Sequence, residues 1–330
     1  MPAIAVIGSN SFSGSDFVDY LLEATDYEVV GLSRSAEKSP LFLPFKRRSD
    51  LSRYRFVQAD LNRDRERLFS VLDELRPKYV VNFAAQSEVG PSWQHPEHWF
   101  ETNAVAVAAL GNFLKDCKWL ERYMHISSPE VYGSCEGIVR EDAPINPSTP
   151  YAASKAAGDL MLSTLVKNFD FPLLSIRATN VYGAHQQLFK IIPRAVIYVK
   201  QGRTIELHGG GVAVKSYIHI RDVSRGELAV LERGRPGELY HLSPDGGVSV
   251  RDVVRNICQT MGQDFECCTR AVAERLGQDR AYVIDSSKAR GELGWKPEVT
   301  LEAGIAQVVD WVERHWDEIS REPLDYVHKA

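Results

Sequence analysis

The stretch AIAVIGSNSFSGSDFVDYLLEA, residues Ala3 to Ala24, decides how the rest of the chain is read. Its apolar opening is too short for the core of a signal peptide and runs straight into glycine, so it reads as a first β-strand. Gly8, Ser11 and Gly14 follow at the spacing of a glycine loop, with Phe12 inside it and serine in the middle position. Phe17, Leu21 and Leu22 then recur at helical spacing. A strand, a tight glycine turn and a helix N-terminus form the arrangement that receives a dinucleotide pyrophosphate on backbone N–H groups. An ordinary strand-to-helix loop is the plain alternative, which the position after the first strand disfavours.

Outward from this stretch, strand-like and helical runs alternate. YEVVGLS, YRFVQADL, KYVVNFAA, RYMHISS and PLLSIRATNVYG are separated by helical patterns such as RERLFSVLDELR and YAASKAAGDLMLSTLVKNF. Such alternation predicts an α/β fold: a Rossmann-type, doubly wound parallel sheet whose strands are apolar throughout because both faces are covered. Beyond about residue 180 the regularity weakens into short strands (TIELHG, KSYIHI, ELYHLS) and amphipathic helices. We expect residues 1–178 to form the dinucleotide-binding domain, with a returning segment near 214–235, and residues 179–330 to form mainly a smaller α/β substrate-binding lobe.

The 330 residues are 44% hydrophobic and 25% charged, with a formal net charge of −5. That balance disfavours a nucleic-acid partner, and the basic run FKRRSDLSRYR reads better as a solvated or phosphate-facing surface. No apolar run is long enough to span a membrane. Five cysteines show neither a CxxC pair nor metal-ligand spacing, which suggests reduced thiols in the cytoplasm and no metal site.

The second strand ends in Ser33 and Arg34, where an acid would meet a free ribose and an arginine a 2′-phosphate. NADP is therefore favoured over NAD. Asp60, at the end of the next strand, either accepts from the adenine amino group or caps a turn. Tyr151 and Lys155 stand four apart at a helix start, which places them on one face. An ammonium beside a phenol favours the phenolate, a base suited to removing a hydroxyl proton. Ser128 and Glu130 follow the strand RYMHIS, and Glu130 is either a second base or a solvated strand-end acid.

Together with NFAAQSEVGPSWQHPEHWFETN, NPSTPYAASKAAGD, RATNVYG, LFKIIPRAV and GQDRAYVIDSSKARGELGWKP, these residues make the chain resemble the extended short-chain dehydrogenase/reductases, specifically the nucleotide-sugar 4,6-dehydratases. The resemblance runs along nearly the whole chain. It implies that Tyr151 is the redox base, that Lys155 is its partner and a ribose ligand, and that Ser128 holds the sugar 4-oxygen. Glu130 matches the dehydratase glutamate. It implies a bound, recycled NADP or NAD touching Gly8, Ser11, Phe12, Gly14, Ser33, Arg34, Asp60, Leu61, Ala84, Tyr151 and Lys155. A nucleotide-diphosphate sugar is expected against Ser87, Ser128, Asn180, Lys190, Lys215 and Arg280.

The implied reaction oxidises C4, removes the C5 proton as the C6 hydroxyl leaves as water, and returns hydride to C6. Pro129 departs from the pattern, standing where many glucose-type relatives carry an aspartic acid, so the acid is either Glu130 itself, a water or another side chain. A 4-epimerase or a 4-dehydrogenase on the same residues remains open, as do a uronic-acid decarboxylase and a silent cofactor-binding protein. A homodimer or higher homo-oligomer is expected by analogy with the superfamily.

Overall fold

The computed structural model describes residues 2–135, 137–273 and 281–329. Its centre is a seven-stranded sheet: β1 (Ala3–Ile7), β2 (Glu28–Ser33), β3 (Tyr54–Gln58), β4 (Tyr79–Asn82), β5 (Arg122–Ile126), β6 (Leu173–Ala178) and β7 (Leu239–Leu242). The order is β7-β6-β5-β4-β1-β2-β3 and every pairing is parallel. The expected Rossmann-type sheet is present, and its strand order reverses between β1 and β4. Ligands of open α/β sheets bind at that switch point, outside the carboxyl ends of the strands.

Alternate strand residues feed two cores. Ile4, Val6, Val29 and Val81 pack under helices Phe12–Ala24 and Ile220–Arg233. Ala5, Ile7, Val30 and Val80 pack on the opposite face under Arg65–Leu75, Ala106–Leu114 and Pro150–Phe169. Each fully buried aliphatic side chain contributes about 1.5–3 kcal/mol relative to exposure, which explains strands without polar alternation.

The seventh strand departs from the linear reading. ELYHLS lies deep in the irregular half of the sequence, yet Leu239–Leu242 pairs parallel with Leu173–Ala178 and extends the central sheet. Helix Ile220–Arg233 supplies the covered crossover to it. A separate core gathers around helices Ile191–Lys200, Val250–Thr260 and Leu301–Arg314, with Tyr182, Tyr217 and Trp311 buried among them. No described helix is long and apolar enough to cross a membrane.

Candidate active site

The glycine loop is built for close approach. Gly8 has φ +87°, and a Cβ there would stand 2.6 Å from the Ala84 backbone nitrogen. A Cβ on Gly14 would meet the Gly8 carbonyl oxygen at 2.4 Å. Ser11 caps the helix, its hydroxyl accepting from Gly14 N at 3.0 Å. The serine thus closes the turn itself, and the backbone cradle at the mouth of the sheet fits a pyrophosphate. Phe12 is buried beside it.

Ser33 is buried, and its hydroxyl accepts from Asn10 N at 3.0 Å. Arg34 is exposed and donates from Nη2 to the Lys329 carbonyl at 3.3 Å. Asp60 accepts from Asn62 N at 2.8 Å and caps the turn there. Leu61 packs its side chain into the core. Ala84 N donates to the Asn82 side chain at 3.0 Å.

Helix Pro150–Phe169 starts sharply because Thr149 accepts from Ala152 N and Pro150 occupies the first turn. This aims Tyr151 and Lys155 at the end of β5. Ser128 follows that strand as cap of the short turn Pro129–Tyr132, accepting from Glu130 N at 3.3 Å, and its hydroxyl lies close enough to the Tyr151 phenol to lower it. Lys155 is 2% exposed and donates to the Ile126 carbonyl at 2.7 Å.

Here the electrostatics differ from the sequence expectation. The Tyr151 phenol is raised above its ordinary value, first by burial and then by the Glu130 charge, with the Ser128 hydroxyl pulling the other way. Burial lowers Lys155 to about 8, Asp159 opposing and Arg177 assisting. The Lys155 ammonium is directed at a strand-end carbonyl rather than at the phenol.

Behind the lysine lies a buried polar cluster that motif reading missed. Asp159 accepts from Arg177 Nη2 at 2.7 Å and from the Ser127 hydroxyl at 2.6 Å, and His125 Nε2 stands 3.5 Å away. Arg177 stacks on the Tyr132 ring at 4.6 Å. The only sequence signal was periodicity: Asp159 stands four residues after Lys155 on the same helix face.

A cavity of about 880 Å³ opens between sheet and lobe, lined by Glu130, Asn180, Lys190 and Lys215 among others. Of the four residues expected to react, Glu130 lines this cavity, and its charge acts on the Tyr151 phenol. Asn180 Nδ2 donates to the Ser216 carbonyl at 3.0 Å. Lys190, expected to face a diphosphate, pairs with Glu88 at 2.6 Å, which offsets much of its charge. Ser87 is exposed and bonds Glu88 at 3.5 Å. Arg280 lies outside the described residues. Arg203, which sequence reading passed over, lines the same cavity and stacks on Tyr198 at 4.0 Å.

A family model described as GDP-mannose 4,6 dehydratase matches residues 6–308. The chain belongs to that family. Among its relatives, the dTDP-glucose 4,6-dehydratase of Streptomyces antibioticus is 31% identical over 333 residues, covering 97% of this chain and 96% of the relative. DesIV, a dTDP-glucose 4,6-dehydratase from Streptomyces venezuelae solved with NAD bound, superposes with TM-score 0.88 at 32% identity, over 96% of this chain and 98% of that one. A UDP-glucuronic acid 4-epimerase from Bacillus cereus gives TM-score 0.85 at 25% identity, over 94% and 99%. The expected class, a nicotinamide-dependent NDP-sugar 4,6-dehydratase of the extended short-chain type, is met.

Within the GDP-mannose 4,6-dehydratase family frame, one irregular helix gains meaning. Between helices Pro96–Phe100 and Ala106–Leu114 the chain makes a π turn over Glu101–Val105. There Asn103 accepts from Gln86 N and donates to both the Gln86 carbonyl and the Ser154 hydroxyl, at 2.9–3.0 Å. A π turn of this kind re-aims a side chain. Here it ties the loop after β4 to the helix carrying Tyr151.

Proposed function

We propose that Tyr151, Ser128, Lys155 and Glu130 carry out a 4,6-dehydration of a nucleotide-diphosphate hexose in this cavity, giving a 4-keto-6-deoxy sugar. The observation that carries this reading is the Glu130 carboxylate, which lines the cavity and acts electrostatically on Tyr151. Oxidation alone needs Ser128, Tyr151 and Lys155. Elimination needs a second base beside them, aimed at the neighbouring carbon.

Ser128 orients the 4-hydroxyl, and Tyr151 takes its proton. A nicotinamide dinucleotide, when bound, accepts hydride from C4 and returns it to C6. The 4-ketone acidifies C5, whose proton Glu130 removes, and a solvent-derived proton returns to C5 as hydride enters C6. Pro129 has no proton to donate, so Glu130 also delivers one to the departing C6 hydroxyl, from the same face. Asn180, Lys215 and Arg203 face the nucleotide diphosphate, residues 179–330 supplying most of that lobe and 1–178 the cofactor side.

The cofactor is NADP. No acid ends β2, and Arg34, Lys38 and Lys329 gather there: partial desolvation and then the charges of Lys329 and Arg34 lower the Lys38 ammonium. Cations that repel one another at a ribose edge are relieved by a 2′-phosphate. Arg34→Asp is expected to reverse the preference in parallel NADP and NAD titrations. The work is done as a homodimer or higher homo-oligomer in the cytoplasm.

The deciding experiment incubates the protein with GDP-mannose, dTDP-glucose, CDP-glucose and UDP-GlcNAc in deuterated water and weighs the products. Water loss with one deuterium at C5 is expected for one sugar. A product of unchanged mass would identify a 4-epimerase, and a ketone formed without water loss a 4-dehydrogenase, the reading that Pro129 leaves open.

A further inference from the structure

Residues 325–329 run across the mouth of the cleft. Asp325 pairs with Arg194 at 3.0 Å, and Tyr326 meets Phe189 edge-on at 5.4 Å. The Lys329 carbonyl accepts from Gln86 Nε2 at 2.6 Å as well as from Arg34. Between these contacts His328 is set against the tetrapeptide His95-Pro96-Glu97-His98, which the reaction does not use. The ring centroids of His95, His98 and His328 form a nearly equilateral triangle with sides of 5.1–5.3 Å, and their planes lie within 17° of one another.

His95 Nδ1 and His98 Nε2 stand 3.9 and 3.8 Å from the same Glu97 oxygen, and the three donor atoms fall within 4.8 Å of one another. Tetrahedral ligands on zinc sit about 3.3 Å apart, given bonds of about 2.0–2.1 Å. Side-chain adjustment of about half an ångström closes each imidazole on Glu97, and at most about 1.5 Å closes the two imidazoles on each other.

We propose that His95, Glu97 and His98 bind one divalent ion of the zinc class, and that His328 is the partner orienting His98, so that the ion fastens the C-terminal tail over the cleft. Two imidazoles and a carboxylate suit a borderline divalent metal and leave positions for water. The tautomers agree with it. An ion on His98 Nε2 leaves the proton on Nδ1, which donates to His328 Nε2 at 2.8 Å. His328 then carries its own proton on Nδ1, 3.2 Å from the Tyr326 hydroxyl, to which it donates. A hydrogen-bonded partner on the far nitrogen is the usual companion of a ligating histidine.

The test titrates the full chain, as purified with its cofactor and stripped of metal, with Zn²⁺ by calorimetry. One site per chain is expected. His95→Ala and His98→Ala should each abolish it, while His328→Ala weakens it about 10–100-fold, as loss of an outer partner does. Co²⁺ should give a spectrum without a thiolate charge-transfer band, and Zn²⁺ should slow hydrogen exchange of residues 325–329. Unchanged Zn²⁺ affinity in folded His95→Ala, a thiolate band from Cys267 or Cys268, or a tail whose exchange ignores Zn²⁺ overturns the proposal. His95 is largely exposed, so its variant keeps the test valid should His98→Ala fail to fold.

Discussion

Asp159 and Arg177 form a buried ion pair, 2.7 Å between Oδ2 and Nη2, directly behind the Tyr151–Lys155 face of helix Pro150–Phe169. Burial alone pushes the Asp159 carboxyl up, but His125, Arg177 and Lys155 outweigh it and hold the group well below the usual carboxylate range. Two consequences can be measured.

Asp159→Asn leaves Arg177 buried without its anion and is expected to cost about 3–5 kcal/mol in urea unfolding. A depressed carboxylate contributes stability above its unfolded value and loses it as pH falls through the folded value. The wild-type advantage over Asp159→Asn should therefore shrink toward strongly acidic pH. Asp159 also raises Lys155, which stands at about 8. In the folded variant the lysine drops further, and the alkaline limb of kcat/KM moves to lower pH. An unmoved limb would show that Asp159 serves stability alone.

Glu130→Gln should separate the two halves of the reaction. Oxidation at C4 survives, so reduced nicotinamide accumulates during a single turnover, while water loss falls by about 10²–10⁴, the usual contribution of a positioned base. Because the Glu130 charge raises the Tyr151 phenol, its removal should also shift the acid limb of the oxidation step to lower pH. Intact dehydration in this variant would remove Glu130 from the mechanism.

Glu227 on helix Ile220–Arg233 is 1% exposed, and neither carboxylate oxygen has a hydrogen-bond partner among the described residues. Burial, and then Asp16, raise it well above 4.5. Below that value both folded and unfolded chains hold the proton. As pH rises, the unfolded chain ionises while the folded one does not, and stability is lost. Glu227→Gln is thus expected to melt above wild type at neutral pH and to lose that margin near the unfolded carboxyl value, as thermal scans across pH would reveal.

Val105 and Leu160 are 52% and 56% exposed on neighbouring stretches, the π turn and the helix of Tyr151. Apolar side chains there suit an interface between copies. Val105→Glu with Leu160→Glu should shift the protein to a monomer in light scattering; a dimer unaffected by both charges would place the interface elsewhere.

Much of the site was legible because its signals are local. The strand, glycine turn and helix of residues 3–24 follow from sterics and apolar spacing within two dozen residues. Tyr151 and Lys155 share a face through the helical repeat, and Ser128 and Glu130 follow β5 by position in the chain. Other features depended on which distant segments meet. The Lys155 ammonium turns to the Ile126 carbonyl, 29 positions away, and Lys190 finds Glu88. Leu239–Leu242 joins the central sheet because helix Ile220–Arg233 buries its apolar face against Phe12–Ala24.

By itself, then, the sequence determined the cofactor-binding fold and placed the candidate reacting side chains along the chain, since backbone sterics, helical period and strand-end position act over short separations. Only the tertiary structure decided the protonation tendencies of those side chains and the seating of His328 on His98, 230 positions apart. Burial and charge pairing are sums over all neighbours in space, and no window along the chain contains them.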